Sequence, residues 1–282
     1  MGPKERESPA PFIDMSKRQI LLTNDDGIKS PGLWAAAEVL SVLGFVTVAA
    51  PREQSSGAGR SLPNTSDGII HEENLQVNGK EWKVYAVGGT PAQAVLHGIL
   101  EIMPKRPDLV VSGINYGENV STGITISGTV GAAMEAAALG VPALAMSLET
   151  EQRHHLSYSR EVDFFAAAHF TVYFARLMLA KHFPEEVALL KVDVPCNATP
   201  KTPWQVTRLA RQRYYAPIAP RRKSWNVPAK IGYRAAAILK REPVDSDVYV
   251  LRRKHLISVT PLSLDMTARV NFVQFDQLLR GG

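Results

Sequence analysis

The stretch ILLTNDDGIKSPG, Ile20 to Gly32, sets two acids side by side where an apolar run stops: Asn24, Asp25 and Asp26, then Gly27. Carboxylates about 4 Å apart repel by several kcal/mol at intermediate dielectric, and a bound cation reverses the sign. Adjacent side chains on a regular strand point to opposite faces, so this pair converges only where the chain leaves strand geometry, a turn that glycine permits. Carboxylate, hydroxyl and amide oxygens are hard donors that suit Mg²⁺, Mn²⁺ or Ca²⁺ better than zinc. The competing reading is that the acids cap the following helix or lie in solvent, because turn chemistry favours the same residue types.

Other stretches carry donors at the ends of apolar runs. PREQSSGAG holds Ser55 and Ser56, and SGINYGEN holds Asn115 and Asn119. SGTVGAAMEAA opens with Ser127, Gly128 and Thr129 and has no early charge. Its free N–H groups and two hydroxyls would make an anion site at a helix start, with simple capping as the alternative. GGTP, Gly88 to Pro91, reads as a mainly structural helix entry. Several chemistries are disfavoured. SGAGRS has Leu62 where a dinucleotide fingerprint needs its third glycine, and no Gly-Lys-Ser/Thr phosphate loop occurs. Thr202, not arginine, stands six residues after Cys196, so a cysteine-phosphatase loop is absent. Asp25-Asp26-Gly27-Ile28 lacks the Asp-x-Asp-x-Thr pattern of aspartyl-phosphate phosphatases. His154-His155 reads as a solvated pair rather than as metal ligands. Arg211, Arg213, Arg221, Arg222 and Lys223 with Tyr214 and Tyr215 read as a surface hairpin, or as a rim that attracts phosphate or stacks a base.

The elements that must position these residues alternate. Strands are expected at 19–23, 45–50, 82–87, 108–113 and 142–148, with helices opening at Ser30-Pro31, Thr90-Pro91 and Thr129. That alternation predicts an α/β fold: a Rossmann-like parallel sheet, mixed at its edge, with helices on both faces. In such a sheet, ligands sit beyond the carboxyl ends of the strands. With the order 3-2-1-4-5, the loops after strands one, two and four converge there. A long helix is expected over 162–182 and a buried strand over 187–195. After Cys196, prolines break the pattern, and WQVTRLARQRYY and HLISVTPL read as strands outside the main sheet. The expected division is a disordered tail at 1–17, a catalytic domain at 18–200 and a C-terminal hairpin region at 201–282. Met15 is a candidate alternative start.

The 282 residues are 45% hydrophobic, enough for a sizeable core, and no run approaches a membrane span. The first residues lack the apolar stretch of a secretory signal. One cysteine fits a reducing compartment, so a cytoplasmic protein is expected. A net charge of +5 is too mild for the dense basic stripe that nucleic-acid duplexes require.

Taken together, ILLTNDDGI, APREQSSGAG, GTPAQAV, LVVSGINYGENV, SGTVGAAMEAAALGVPALAMS and ISVTPL resemble the survival protein E (SurE) family of nucleotide phosphatases. The resemblance implies a nucleoside monophosphate phosphohydrolase, a 5'-nucleotidase that could also act on 3'-nucleotides and polyphosphate. It implies one divalent cation per subunit, held by Asp25, Asp26, Ser56 and Asn115, with phosphate cradled by Asn115, Ser127, Gly128 and Thr129. It also implies a C-terminal segment exchanged between subunits of a homodimer or homotetramer. Two positions depart from the family pattern. Ser263 stands where some members have histidine, and Ile126 where histidine or tyrosine is common. The implied reaction is metal-assisted attack by water, with Asn24 orienting the acids or the water. Asp25 is a candidate base, with a covalent route through it as the alternative. A nucleotide sensor without turnover would use the same residues.

Overall fold

The computed structural model describes residues 17–235 and 242–281. Of the expected tail only Lys17 is included; Met15 lies outside the described residues. The elements are β1 (Gln19–Thr23), α1 (Pro31–Leu40), β2 (Phe45–Pro51), β3 (Ile70–Val77), β4 (Lys80–Val87), α2 (Pro91–His97), β5 (Leu109–Tyr116), α3 (Gly128–Ala138), β6 (Ala143–Leu148), α4 (Phe165–Ala180), β7 (Leu189–Val194), β8 (Trp204–Val206), β9 (Tyr215–Ile218), β10 (Gly232–Ala235), α5 (Asp247–Arg253), β11 (Ile257–Leu262) and α6 (Phe272–Leu279).

Nine strands form one sheet in the order β3-β4-β2-β1-β5-β6-β7-β11-β8. Strands β4, β2, β1, β5, β6 and β7 are parallel, so the expected order holds around β1. Strands β3 and β11 run antiparallel to β4 and β7. The parallel strands are apolar on both faces because both faces are covered. Ile20 and Leu22 of β1 pack with α1 and α4, while Leu21 packs with α2 and α3. Alanines at 132, 133 and 136 let α3 lie close to the sheet. No helix among the described residues is long and apolar enough to cross a membrane.

Three local expectations are corrected. The segments read as strands outside the main sheet supply β8 and β11, which extend it beyond β7. The physical reason is that β11 is buried on both faces: Ile257 and Val259 join one core and Leu262 the other. Second, β3 occupies a stretch with no expected element. Its turn to β4 is Asn78-Gly79, with φ of 50° and 75°, the geometry that a two-residue hairpin demands. Third, β5 continues past Gly113 to Tyr116 through a register slip between Ser112 and Asn115. Asn115 therefore sits on a strand end and not in a loop. The β9–β10 hairpin pairs apart from the main sheet.

Candidate active site

The chain leaves β1 through a turn closed by Asn24. Its Nδ2 donates to the Gly27 carbonyl, and its Oδ1 accepts from the Gly27 N–H, each at 3.1 Å. With both ends occupied, Asn24 shapes the turn and does not face water. Gly27 adopts a φ of 95°, a conformation that favours glycine. Asp25 and Asp26 are thereby released from strand alternation and held at 4% and 1% exposure.

Their partners come from four neighbouring segments. Thr129 Oγ1 donates to Asp25 Oδ1. The Ser55 N–H donates to the Asp25 carbonyl at 2.7 Å. Asp26 Oδ1 accepts from Gln54 Nε2 at 3.0 Å, and Oδ2 from the Tyr116 N–H at 3.2 Å. Tyr158 OH donates to the Asp26 carbonyl at 2.8 Å. No lysine or arginine pairs with either carboxylate among the described residues. Burial is the main cause raising the pKa of Asp25, and the Thr129 hydroxyl pulls it back, with help from the Thr129 and Gly128 N–H groups. The start of α3 thus already faces an anion, the carboxylate of Asp25. Helix α3 has no acid of its own in the first turn.

Asp26 is pushed up to about 8, by burial first and the charge of Asp25 second, against the opposing pull of Tyr116 and Gln54. A carboxyl raised above its unfolded value binds its proton more tightly when folded. That stability is complete below about pH 4 and lost as pH rises toward about 8. The EDTA-treated protein is therefore expected to melt at a lower temperature as pH rises from about 5 to 8, with a smaller fall in Asp26→Asn. Equal pH dependence in both proteins would contradict the buried, unpaired carboxyl.

The remaining candidates are placed unevenly. Asn115 Nδ2 donates to the Gly117 carbonyl at 2.7 Å, one residue before the N–H that holds Asp26. Gly128 is pressed on Asp25, where a Cβ would lie 2.6 Å from the Asp25 Cβ. Ser127 Oγ accepts from the Val130 N–H at 3.1 Å and so caps α3. Ser56 is exposed, and among the described residues no hydrogen bond ties it to either acid. The loop reaches the acids through Gln54 and the backbone of Ser55. Thr90 and Gln93 form a reciprocal cap, so GGTP is structural.

The loop after β2 also rests on α3. The Gly59 N–H donates to the Ile126 carbonyl at 3.1 Å, and Arg60 Nε to Glu135 Oε2 at 2.6 Å. A Cβ at Gly131 would run into the Gly59 carbonyl and lie 2.7 Å from the Arg60 nitrogen. Gly131→Ala is expected to cost about 1–3 kcal/mol by overpacking, and to raise KM by displacing the loop. Thermal melting and steady-state kinetics check this together; unchanged melting and KM would sink it.

Reading by residue type missed several members. Gln54 bridges Asp26 and the His155 carbonyl, both at 3.0 Å. His155, expected to be solvated, is partly buried, with Nδ1 3.1 Å from Tyr233 OH. Tyr214 is 3% exposed, inside a small core with Val120, Ala210, Val248 and Leu251, so it does not belong to a rim. Arg211, Arg213, Arg221, Arg222 and Lys223 are exposed. A buried charge cluster also lies behind the loop that joins β5 to α3. Lys191 Nζ donates to Asp193, and to Asp247 at 3.2 Å. Asp193 accepts from the Asn119 N–H at 2.7 Å and Asp247 from the Ser121 N–H at 2.9 Å. The loop is pinned at both places. The signal was a lysine and an aspartate two apart on an otherwise apolar strand.

Two buried carboxylates without a cation, flanked by amide and hydroxyl oxygens, form a donor set that suits a hard divalent ion. No cluster of three His, Cys, Asp or Glu side chains that could hold a metal occurs among the described residues.

The family described as survival protein SurE matches residues 20–216. The 5'-nucleotidase SurE of Thermococcus kodakarensis is 43% identical over 263 residues, covering 93% of this chain and 98% of the relative. The 5'-nucleotidase SurE of Methanocella arvoryzae is 40% identical over 270 residues, covering 93% and 98%. The crystal structure of the SurE protein from Aquifex aeolicus aligns with a TM-score of 0.71 and 31% identity, covering 93% of this chain and 99% of the other.

Proposed function

The chain belongs to the survival protein SurE family, and from that premise we propose that it is a nucleotidase that hydrolyses nucleoside monophosphates to nucleoside and phosphate. The observation that carries this reading is the pair of buried carboxylates without a cationic partner, set against the start of α3. Asp25, Asp26 and Asn115, with Ser56 brought in from its loop, would hold one divalent cation. A cation held there would supply charge to neutralise phosphoryl oxygens and lower the pKa of a bound water.

The chain's own groups do the positioning. Thr129 holds Oδ1 of Asp25, and the start of α3 bears on the same carboxylate. Gln54 and the Tyr116 N–H fix the orientation of Asp26. The Gly128 and Thr129 N–H groups bear on Asp25 where α3 begins, and a phosphate beside Asp25 would share them through its equatorial oxygens. Asn24 acts through the turn it closes. Action on 3'-nucleotides and polyphosphate belongs to the same proposal, since each presents a terminal phosphate to that centre.

The assembly is proposed to be a homodimer or homotetramer that exchanges C-terminal segments. In support, α6 has no buried residue and exposes Phe272, Val273, Phe275, Leu278 and Leu279. A cytoplasmic site of action is proposed from the single, exposed Cys196. The test of function is phosphate release from a panel of nucleoside monophosphates after EDTA treatment, then with Mn²⁺ or Mg²⁺ restored. Release on metal addition supports the enzyme. Tight nucleotide binding with no release under any metal would replace it with the sensor reading.

A further inference from the structure

A cavity of about 510 Å³ is lined by Glu118, Thr150, His155, Asp163, Tyr215 and Arg252 among others, and Gln54 links its His155 to the carboxylate pair. Its volume is within the range of small-molecule sites. One contact joins it to Asp26, and two more join it to Asn115. Gln54 Nε2 donates both to Asp26 and to the carbonyl of His155. The His155 ring lies on Gly117, where a Cβ would be 2.7 Å from Nε2. Gly117 in turn accepts from Asn115. Glu118 is three residues beyond Asn115, a span of at most about 10 Å, within reach of a nucleotide whose phosphate lies at the acids.

Glu118 is the unexplained group. It is 5% exposed, and its Oε2 is buried without a hydrogen-bond partner among the described residues. The arginine of the cavity does not serve it, because Arg252 pairs with Glu149. Burial first, the charge of Glu118 second and, for Tyr214 and Tyr215, hydrogen bonding to Glu118 third raise the pKa values of Tyr214, Tyr215 and Tyr233, so the carboxylate meets the aromatic wall while its Oε2 is left over. Leaving a carboxylate oxygen dry and unpaired is costly, and a ligand with hydroxyl donors removes that cost. Vicinal ribose hydroxyls suit one carboxylate, as in dinucleotide folds where an acid takes the ribose. The wall beside it is aromatic: the rings of His155 and Tyr215 meet edge-on at 6.0 Å, and Tyr233 lies 13° from the His155 plane. Such rings stack nucleobases without strong base preference.

Resting on the phosphomonoesterase reading of the acids, we propose that this cavity is the nucleoside subsite and that Glu118 accepts hydrogen bonds from the ribose 2'- and 3'-hydroxyls, selecting ribonucleotides over deoxyribonucleotides. The test is calorimetric titration of the full chain with adenosine, 2'-deoxyadenosine and 3'-deoxyadenosine, repeated on Glu118→Ala and on the isosteric Glu118→Gln. Nucleosides carry no phosphate, so the titration reads the cavity while phosphate release reads the acids; either can fail alone. The expected result is adenosine binding about tenfold or more tighter than either deoxynucleoside. The difference should shrink to about twofold or less in Glu118→Ala and shrink in part in Glu118→Gln. Equal affinities in the unmodified protein, no binding of adenosine, or undiminished selectivity in either folded variant would overturn the proposal.

Discussion

Asp25→Ala is expected to lower phosphate release by about a thousandfold or more, even with excess metal. Asp25 is where two requirements meet. Its carboxylate is one of the two buried acids proposed to hold the cation, and it is the group that the Thr129 hydroxyl and the start of α3 hold in place. Removing it takes away a charge and frees the donors that oriented it. The fold should survive, because the loss also relieves repulsion between adjacent buried carboxylates. Melting temperature and phosphate release measured on one preparation separate the two effects. Activity within about tenfold of the unmodified protein would remove Asp25 from the centre.

The second large effect lies behind the site. Lys191→Met is expected to cost about 3–5 kcal/mol, because it leaves Asp193 and Asp247 buried with no cation. All three side chains are fully buried. Burial pulls the ammonium of Lys191 down, but the charges of the two aspartates outweigh it and leave it raised. Asp193 is pushed up to about 6 by burial, with Lys191 holding it from going further. The two aspartates also accept from the Asn119 and Ser121 N–H groups, so the loop leading to Ser127 should loosen. Denaturant unfolding measures the loss. Neutralising both aspartates as well, in Lys191→Met/Asp193→Asn/Asp247→Asn, should recover part of it. A single-variant loss under about 1 kcal/mol would mean that the cluster does not hold the loop.

How far the sequence was legible follows from the range of the forces involved. The turn at Asn24–Gly27, the parallel strands and the alanine-rich α3 were legible because apolar runs, glycines and caps act locally. So was the convergence of the loops after β1, β2 and β5, which follows from strand order alone. The edge strand β3 hid because its residues are only half-buried in alternation, although the Asn78-Gly79 turn marked it. The docking of β11 between β7 and β8 is a long-range choice with no local mark. Gln54 stood in the quoted loop, yet nothing in its type told it from the serines beside it. Tyr214 read as part of a surface hairpin because its burial depends on α5 and on Val120, more than ninety residues earlier in the chain.

The most direct measurement is a manganese titration followed by the electron paramagnetic resonance of the free ion. One Mn²⁺ bound per chain, lost in Asp26→Ala, is the predicted result. No bound ion in the unmodified protein, or binding that is the same in the variant, would contradict a cation centre at the two carboxylates.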